Sequence, residues 1–129
     1  MKKNILVLCE FYERGYLEEI FAESDQYKAE LVNMRDIKAI GVAKYLKDII
    51  AEISNNPNKY QGVVVTKDDL SLIATAIVAN TSLIGPSFQG ILNCQNKFIS
   101  REIQKNNLPE YAVEFFLDDG ISENNQLEE

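Results

Sequence analysis

The sequence predicts an α/β fold in which helices cover both faces of a mostly parallel sheet of four or five strands. Short, continuous apolar runs recur along the chain, and such runs are typical of strands that are buried on both faces. Segments with apolar residues at three- and four-residue steps separate these runs, as in amphipathic helices. Strands that alternate with helices pair in parallel and carry the helices on both sides. With 129 residues, 46% of them hydrophobic, the chain is long enough to bury one core.

Each element is placed by its apolar pattern and by the residues that end it. The predicted strands cover residues 4–9, 29–34, 62–66, 81–84 and 111–116. The predicted helices cover residues 16–24, one long stretch over 37–53, a segment around Leu70, Ile73 and Ile77, and then residues 87–94 and 96–105. Pro57 and Pro109 follow two of these helices, where proline stops the helical hydrogen bonding. The order makes a three-layer, Rossmann-like domain over residues 1–116, followed at 117–129 by an acidic tail or the start of another domain.

The composition excludes several classes of partner. The chain has 13 basic and 20 acidic residues and no histidine, and six of the acids lie at or after Glu114. No basic stripe is present, so we expect no nucleic-acid partner, and the lack of histidine removes histidine catalysis and histidine metal ligation. Cys9 and Cys94 are far apart in the sequence, so we expect two buried thiols rather than a redox or metal pair. The longest apolar run is too short for a membrane span or a secretory signal, which predicts a cytoplasmic protein with no membrane partner.

The loop after the first strand argues against the common nucleotide-binding α/β folds. It reads Glu10-Phe11-Tyr12-Glu13-Arg14-Gly15, with one glycine where a dinucleotide fingerprint needs three. It also lacks the Gly-Lys-Ser/Thr of a P-loop and the hydroxyl groups of a flavodoxin phosphate loop. A two-component receiver domain has this length and element order, but it needs an acidic pair here and an aspartate at the end of the third strand. Those places hold Glu10 and Thr66-Lys67, so a degenerate receiver is a minor alternative.

The most informative segment covers residues 83–109. It contains Leu83-Ile84-Gly85-Pro86-Ser87, then Asn96-Lys97-Phe98-Ile99-Ser100-Arg101, and finally Leu108-Pro109. This order and spacing resemble the end of the N-terminal domain of the ATP-grasp superfamily, which includes biotin carboxylase, carbamoyl phosphate synthetase and many carboxylate–amine ligases. In that family an Ile-Gly-Pro-type turn follows a strand, an Asp-Lys or Asn-Lys pair opens a helix, and the carboxylate–amine ligases carry an arginine four residues after the lysine. The resemblance covers about residues 3–116.

The resemblance implies a function and a set of site residues. The parent reaction would use ATP and Mg²⁺ to activate a carboxylate as an acyl phosphate and then join it to an amine. Lys97 is implied as the contact to the ATP phosphates, and the cleft for the small carboxylate or amine substrate would include Glu10, Phe11, Thr66 and Arg101. The glycine-rich lid and the metal ligands of the family belong to a later ATP-grasp domain, which this sequence lacks. We therefore expect the missing ATP-grasp domain as a partner, no catalytic or metal-binding residue, and no ATP or Mg²⁺ held by this chain alone.

Each implied residue also has a structural explanation. Lys97 could be an ordinary exposed lysine, although a base is unfavourable beside the dipole at a helix start. Arg101 could form a surface ion pair, the aromatic residues of the first loop could pack that loop, and the aspartates after Thr66 could cap a helix. The alternative function is a stand-alone, non-catalytic, flavodoxin-like interaction module, which predicts an apolar docking patch. A domain without its partner would also expose apolar surface, so a homodimer is a further expectation.

Overall fold

A computed structural model of the chain describes residues 1–111, 113 and 114. The strands are β1 (Lys3–Cys9), β2 (Tyr27–Asn33) and β3 (Gly62–Val65). The helices are α1 (Arg14–Ala22), α2 (Met34–Ile40), α3 (Val42–Asn55), α4 (Ser71–Ala79), α5 (Phe88–Gln95) and α6 (Lys97–Asn107). Short 3₁₀ helices cover Phe11–Glu13, Asp68–Leu70 and Pro109–Tyr111. None of the helices in the described residues is long and apolar enough to cross a membrane.

The strands form a parallel sheet in the order β2-β1-β3, which confirms the α/β class. Strand β1 is central, its last four residues are buried, and it pairs with β2 along its whole length, from Lys3 opposite Tyr27 to Cys9 opposite Asn33. On its other side, Leu8 lies opposite Val65. The carboxyl ends of all three strands therefore meet at one edge of the sheet.

The predicted fourth strand is wrong in extent, because residues 81–84 contribute one parallel bridge, between Ile84 and Gly62. Their backbones approach so closely that a Cβ on Gly62 would lie 2.6 Å from the Ile84 carbonyl oxygen. The sheet has three strands among the described residues. Half of the predicted fifth strand, residues 112, 115 and 116, lies outside the described residues. Of the other half, Tyr111 belongs to a 3₁₀ helix, and Val113 and Glu114 belong to no strand.

The long helix predicted over residues 37–53 is in fact two helices, α2 and α3. Gly41 separates them with a φ of 102°, a backbone conformation that residues with a side chain rarely adopt. Apolar periodicity runs through this break, since Ile37 in α2 and Tyr45, Ile49 and Ile53 in α3 are all buried. The spacing of apolar residues shows which side of each helix is buried, but it does not show where the first helix ends and the second begins.

The two faces of the sheet are covered differently. On the major face, defined as the side packed by α2, α3 and α4, the buried core has thirteen members. These are Leu6, Leu8, Ile37, Tyr45, Ile49, Ile53, Tyr60, Val63, Leu70, Ile73, Ala74, Ile77 and Leu83, and they include the predicted core stripe of α4. On the α1 face, defined as the side packed by α1, the buried core is Val7, Cys9 and Leu17.

Helix α1 leaves part of the α1 face open. Paired residues of parallel strands point to the same side, so Val64, opposite Val7, belongs to this face, and so does Ile84 beyond Gly62. Val64 is 47% exposed and Ile84 is 72% exposed. With Ile5 and Tyr27 they line an apolar hollow of about 480 Å³.

The chain divides into two compact units, Met1–Ile91 and Leu92–Glu129, with the boundary inside α5. We call them the sheet unit and the C-terminal unit. Ser87 caps α5 by accepting a hydrogen bond from the Gly90 N–H at 3.0 Å, as expected from the sequence. Of the two thiols, Cys9 is buried as expected, but Cys94 is exposed because the second half of α5 buries no residue.

Candidate functional site

The carboxyl edge of the sheet is the place where an open parallel sheet binds ligands. Three loops meet there: the 3₁₀ helix Phe11–Glu13 after β1, the start of α2 after β2, and Thr66 with Lys67 after β3. Asn33, at the end of β2, caps α2 by accepting from the Asp36 N–H at 2.9 Å. All three loops belong to the sheet unit, so their mutual geometry is defined.

The Glu13 side chain connects the loops of this edge by hydrogen bonds. Its side chain is buried, with 5% exposed, and its carboxylate oxygens accept three hydrogen bonds. Oε1 accepts from the Thr66 hydroxyl at 2.6 Å and from the Glu10 N–H at 3.0 Å, and Oε2 accepts from the Tyr16 hydroxyl at 2.6 Å. The Glu13 N–H in turn donates to the Glu10 carbonyl at 3.0 Å. One carboxylate thus joins the first loop to the start of α1 and to the end of β3.

The Glu13 carboxylate stays ionised despite its burial. Desolvation raises its pKa, but the hydrogen bonds from Thr66, Tyr16 and Glu10, helped by the charge of Lys67, outweigh that effect and leave the pKa lowered. The same hydrogen bond raises the pKa of the Tyr16 phenol. Burial, followed by the charge of Glu13, raises the pKa of the Cys9 thiol at the end of β1. Glu13 is therefore a fixed negative charge beneath the edge.

We call Glu13 with its three hydrogen bonds the Glu13 anchor. Next to it, two exposed aromatic rings and two cations form a row. Phe11 and Tyr12 meet edge to face, with ring centroids 5.6 Å apart. The Arg35 guanidinium lies 5.5 Å from the Phe11 ring centroid, and the Lys67 ammonium lies 5.8 Å from that of Tyr12. The neighbouring Tyr12 phenol, with the charge of Glu13, raises the pKa of Lys67, so this lysine is charged at neutral pH. We call these four residues the aromatic–cation row.

The structure brings together three of the predicted cleft residues. Glu10, Phe11 and Thr66 all lie at the carboxyl edge, joined through Glu13 as described above. The aspartates after Thr66 do not provide the N-cap of α4, since they lie in the 3₁₀ helix Asp68–Leu70 and the N-cap position of α4 is Leu70. The remaining two predicted residues, Lys97 and Arg101, belong to the C-terminal unit.

Lys97 is exposed and is the first residue of α6, as the sequence predicts. Asn96 caps this helix by accepting a hydrogen bond from the Ile99 N–H at 3.1 Å. Arg101 lies one turn later, is exposed, and donates to the Gln104 side chain at 3.2 Å. Arg101 is absent from the ion pairs within the described part of the chain, which are Arg14–Glu18, Lys44–Asp48 and Lys59–Glu52.

The sequence places Glu13 and Lys67 in the two loops of the edge but gives neither a role of its own. Tyr16 and Arg35 are not predicted at all, although Tyr16 donates to the anchor and Arg35 is one of the two cations. The spacing of Glu10 and Glu13, three residues apart at the end of a strand, is the one available signal, because it is typical of a capped first turn. The contact of Thr66 with Glu13 spans 53 residues, and no local pattern encodes such a contact.

Within the described residues, no group of three or more cysteine, aspartate or glutamate side chains is placed to hold a metal ion. Comparisons of the chain with protein-family models, with curated proteins and with solved structures found no match.

Proposed function

We propose that this chain is the N-terminal, substrate-side domain of a cytoplasmic ATP-grasp carboxylate–amine ligase. One observation carries the proposal: α6 begins at Lys97 under an Asn96 cap, and it lies further along the chain than the Gly85-Pro86 pair that follows the Ile84 bridge to the sheet. The family resemblance implies this local sequence of features: sheet position, Gly-Pro turn, and a lysine at the start of a capped helix. In this proposal the three described strands belong to a Rossmann-like domain whose full sheet has four or five strands.

Lys97 is suited to contact the ATP phosphates. Lys97 is the first residue of an eleven-residue helix, and its own charge and the positive end of the helix dipole both attract a phosphate. A lysine at that end faces the positive end of the helix dipole, which costs free energy unless an anion is bound. Phosphoryl transfer depends mainly on positioning and on neutralising charge, so a single lysine supplies only part of what the reaction needs. The partner ATP-grasp domain would supply the remainder, including the ligands for Mg²⁺.

The substrate cleft of this proposal is the carboxyl edge of the sheet. Glu10, Phe11 and Thr66 lie there beside the Glu13 anchor, and this is the edge at which parallel sheets bind ligands. The family resemblance alone adds Arg101, which belongs to the C-terminal unit, as a fourth proposed contact to substrate. The ligand of the cleft would be the small carboxylate or amine that the ligase joins.

A titration with ATP and Mg²⁺, followed by amide NMR, tests the proposal. We expect chemical-shift changes at residues 96–99, with weak, millimolar affinity because the partner domain is absent. Lys97→Gln should remove these changes, whereas Lys105→Gln, at the opposite end of α6, should leave them intact. Equal losses in the two variants would contradict a specific phosphate contact, and so would shifts confined to other parts of the chain.

A second candidate function is favoured by the apolar hollow of the α1 face. A non-catalytic interaction module, such as a degenerate receiver, would dock through an apolar patch, and Ile5, Val64 and Ile84 line such a surface. The occupant in this case would be a second copy of the chain. Sedimentation velocity would then detect a dimer that Ile84→Asp dissociates. A monomer at all concentrations would contradict this candidate.

A further inference from the structure

The aromatic–cation row lies at the surface and is not part of the core. Phe11 is 54% exposed and Tyr12 is 61% exposed, so both rings face solvent at the edge where ligands bind. Exposed aromatic rings contribute little to folding, whereas aromatic side chains are enriched where proteins contact ligands. The row therefore needs an explanation beyond packing of its own loop.

Hydrogen bonds of Glu13 connect the loop that carries the two rings to neighbouring elements. Phe11 and Tyr12 occupy the 3₁₀ helix Phe11–Glu13, and Glu13 ties that helix to Thr66 and Tyr16 by two hydrogen bonds of 2.6 Å. Thr66 precedes Lys67 directly, so the same anchor fixes the strand end that carries one of the two cations. A surface ordered before binding loses less conformational entropy when the ligand arrives.

The charge of the row favours one negative charge on the ligand. Arg35 and Lys67 are outside the three ion pairs that the described residues form. The Glu13 carboxylate already accepts the three hydrogen bonds of the anchor. The Asp36 carboxylate accepts from the Asn33 side-chain amide at 3.0 Å. Because Glu10 and Glu13 nevertheless add negative charge beside Lys67, a polyphosphate would be repelled more strongly than a monoanion.

We propose that the aromatic–cation row, formed by Arg35, Phe11, Tyr12 and Lys67, binds a monocarboxylate that has a flat, apolar body. The apolar body lies on the exposed rings, and the cations at the two ends of the row attract the carboxylate. The inference rests on the proposed function in that it names the ligand class of the same substrate cleft, and its own support is the geometry of the row.

Benzoate is the probe, and amide NMR of the full chain is the measurement. We expect benzoate to shift the amides of residues 10–13, 66 and 67. Lys67→Gln and Arg35→Gln should each weaken binding by about threefold, because each removes one of the two positive charges that attract the carboxylate. Lys47→Gln, an exposed lysine on α3, is the matched control and should leave the affinity unchanged. Benzamide, which keeps the ring but lacks the charge, and formate, which keeps the charge but lacks the ring, should both bind more weakly.

Several results would overturn the inference. These are equal binding of benzamide and benzoate, tighter binding of inorganic phosphate than of benzoate, an equal loss in Lys47→Gln, or no shift at the row. Either titration, with benzoate or with ATP, can give a negative result while the other gives a positive one. A response to ATP at Lys97 without a response to benzoate at the row overturns this inference alone, and the reverse result overturns the proposed function alone.

Discussion

The two faces of the sheet are stabilised by different means. The major face relies on apolar burial, with thirteen buried residues contributed by β1, β3, α2, α3, α4 and the segments between them. The α1 face has three buried residues, and its single helix is also fastened through the Glu13 carboxylate. Apolar burial is non-directional and scales with area, whereas the Glu13 hydrogen bonds depend on distance and on protonation. The major face should therefore set the stability of the sheet unit, and the α1 face should set the geometry of the carboxyl edge.

The largest expected effect is on the major face. Ile53→Ala should reduce the free energy of unfolding by about 3–4 kcal/mol, because it opens a cavity in a fully buried site. Leu17→Ala on the α1 face should cost about 2 kcal/mol, because its smaller cluster can close around the space. Urea denaturation measures both values. If Leu17→Ala cost as much as Ile53→Ala, the contrast between the faces would be wrong.

The next effect concerns the anchor. Glu13→Gln should cost about 2 kcal/mol, because the amide weakens charge-assisted hydrogen bonds to two hydroxyl groups in a buried place. Thr66→Val should cost about 1 kcal/mol, since it removes one of the donors. The control is Glu19→Gln, an exposed residue of the adjoining helix α1, which should change stability by less than about 0.5 kcal/mol. If Glu13→Gln and Glu19→Gln lowered the free energy of unfolding equally, the hydrogen bonds of the anchor would not contribute to stability.

The anchor also predicts a pH dependence that separates the faces. The pKa of Glu13 is lowered in the folded state, below the ordinary value of about 4.3 for an unfolded chain. Its contribution to stability is thus fully present above about pH 4.3 and is lost as the pH falls through the lower, folded pKa. The free-energy difference between the wild type and Glu13→Gln should shrink over that range. A difference that stayed constant from neutral pH to pH 3 would contradict this assignment.

The smallest effect lies on the major face, where one polar atom has no partner among the described residues. The Tyr45 hydroxyl is buried there without a hydrogen bond, and burial raises its pKa to about 12. Tyr45→Phe should therefore leave the stability unchanged or increase it by up to about 1 kcal/mol. Tyr60→Phe is the contrast, since the Tyr60 hydroxyl donates to Glu30 and its removal should destabilise. A clear loss in Tyr45→Phe would mean that its hydroxyl has a partner after all.

The sequence predicts the fold well where a pattern is local. The strand β1, the apolar side of α4 and the caps provided by Ser87 and Asn96 all follow from neighbouring residues. The break between α2 and α3 at Gly41 is not predicted, because the spacing of apolar residues shows which side of a helix is buried and not where the backbone turns. The fourth strand was overestimated, because Leu83 and Ile84 have strand-like side chains while only one bridge to β3 forms.

The site was harder to predict than the fold. The common position of Glu10, Phe11 and Thr66 can be predicted, because strand ends can be located from the sequence and parallel strands end at one edge. The hydrogen bonds of Glu13 and the position of Arg35 cannot, since they depend on contacts to side chains brought together by folding. A glutamate in an aromatic loop and an arginine near a helix start have no local feature that distinguishes them from surface residues.

The contrast between the two thiols makes the chain convenient for spectroscopy. A maleimide reacts with the thiolate, and Cys9 is both buried and held protonated by its raised pKa, whereas Cys94 is open to solvent. The natural sequence, with two cysteines, therefore accepts a fluorophore or a nitroxide at one known position in α5 without any substitution. A dye attached there would report directly on events near the start of the C-terminal unit.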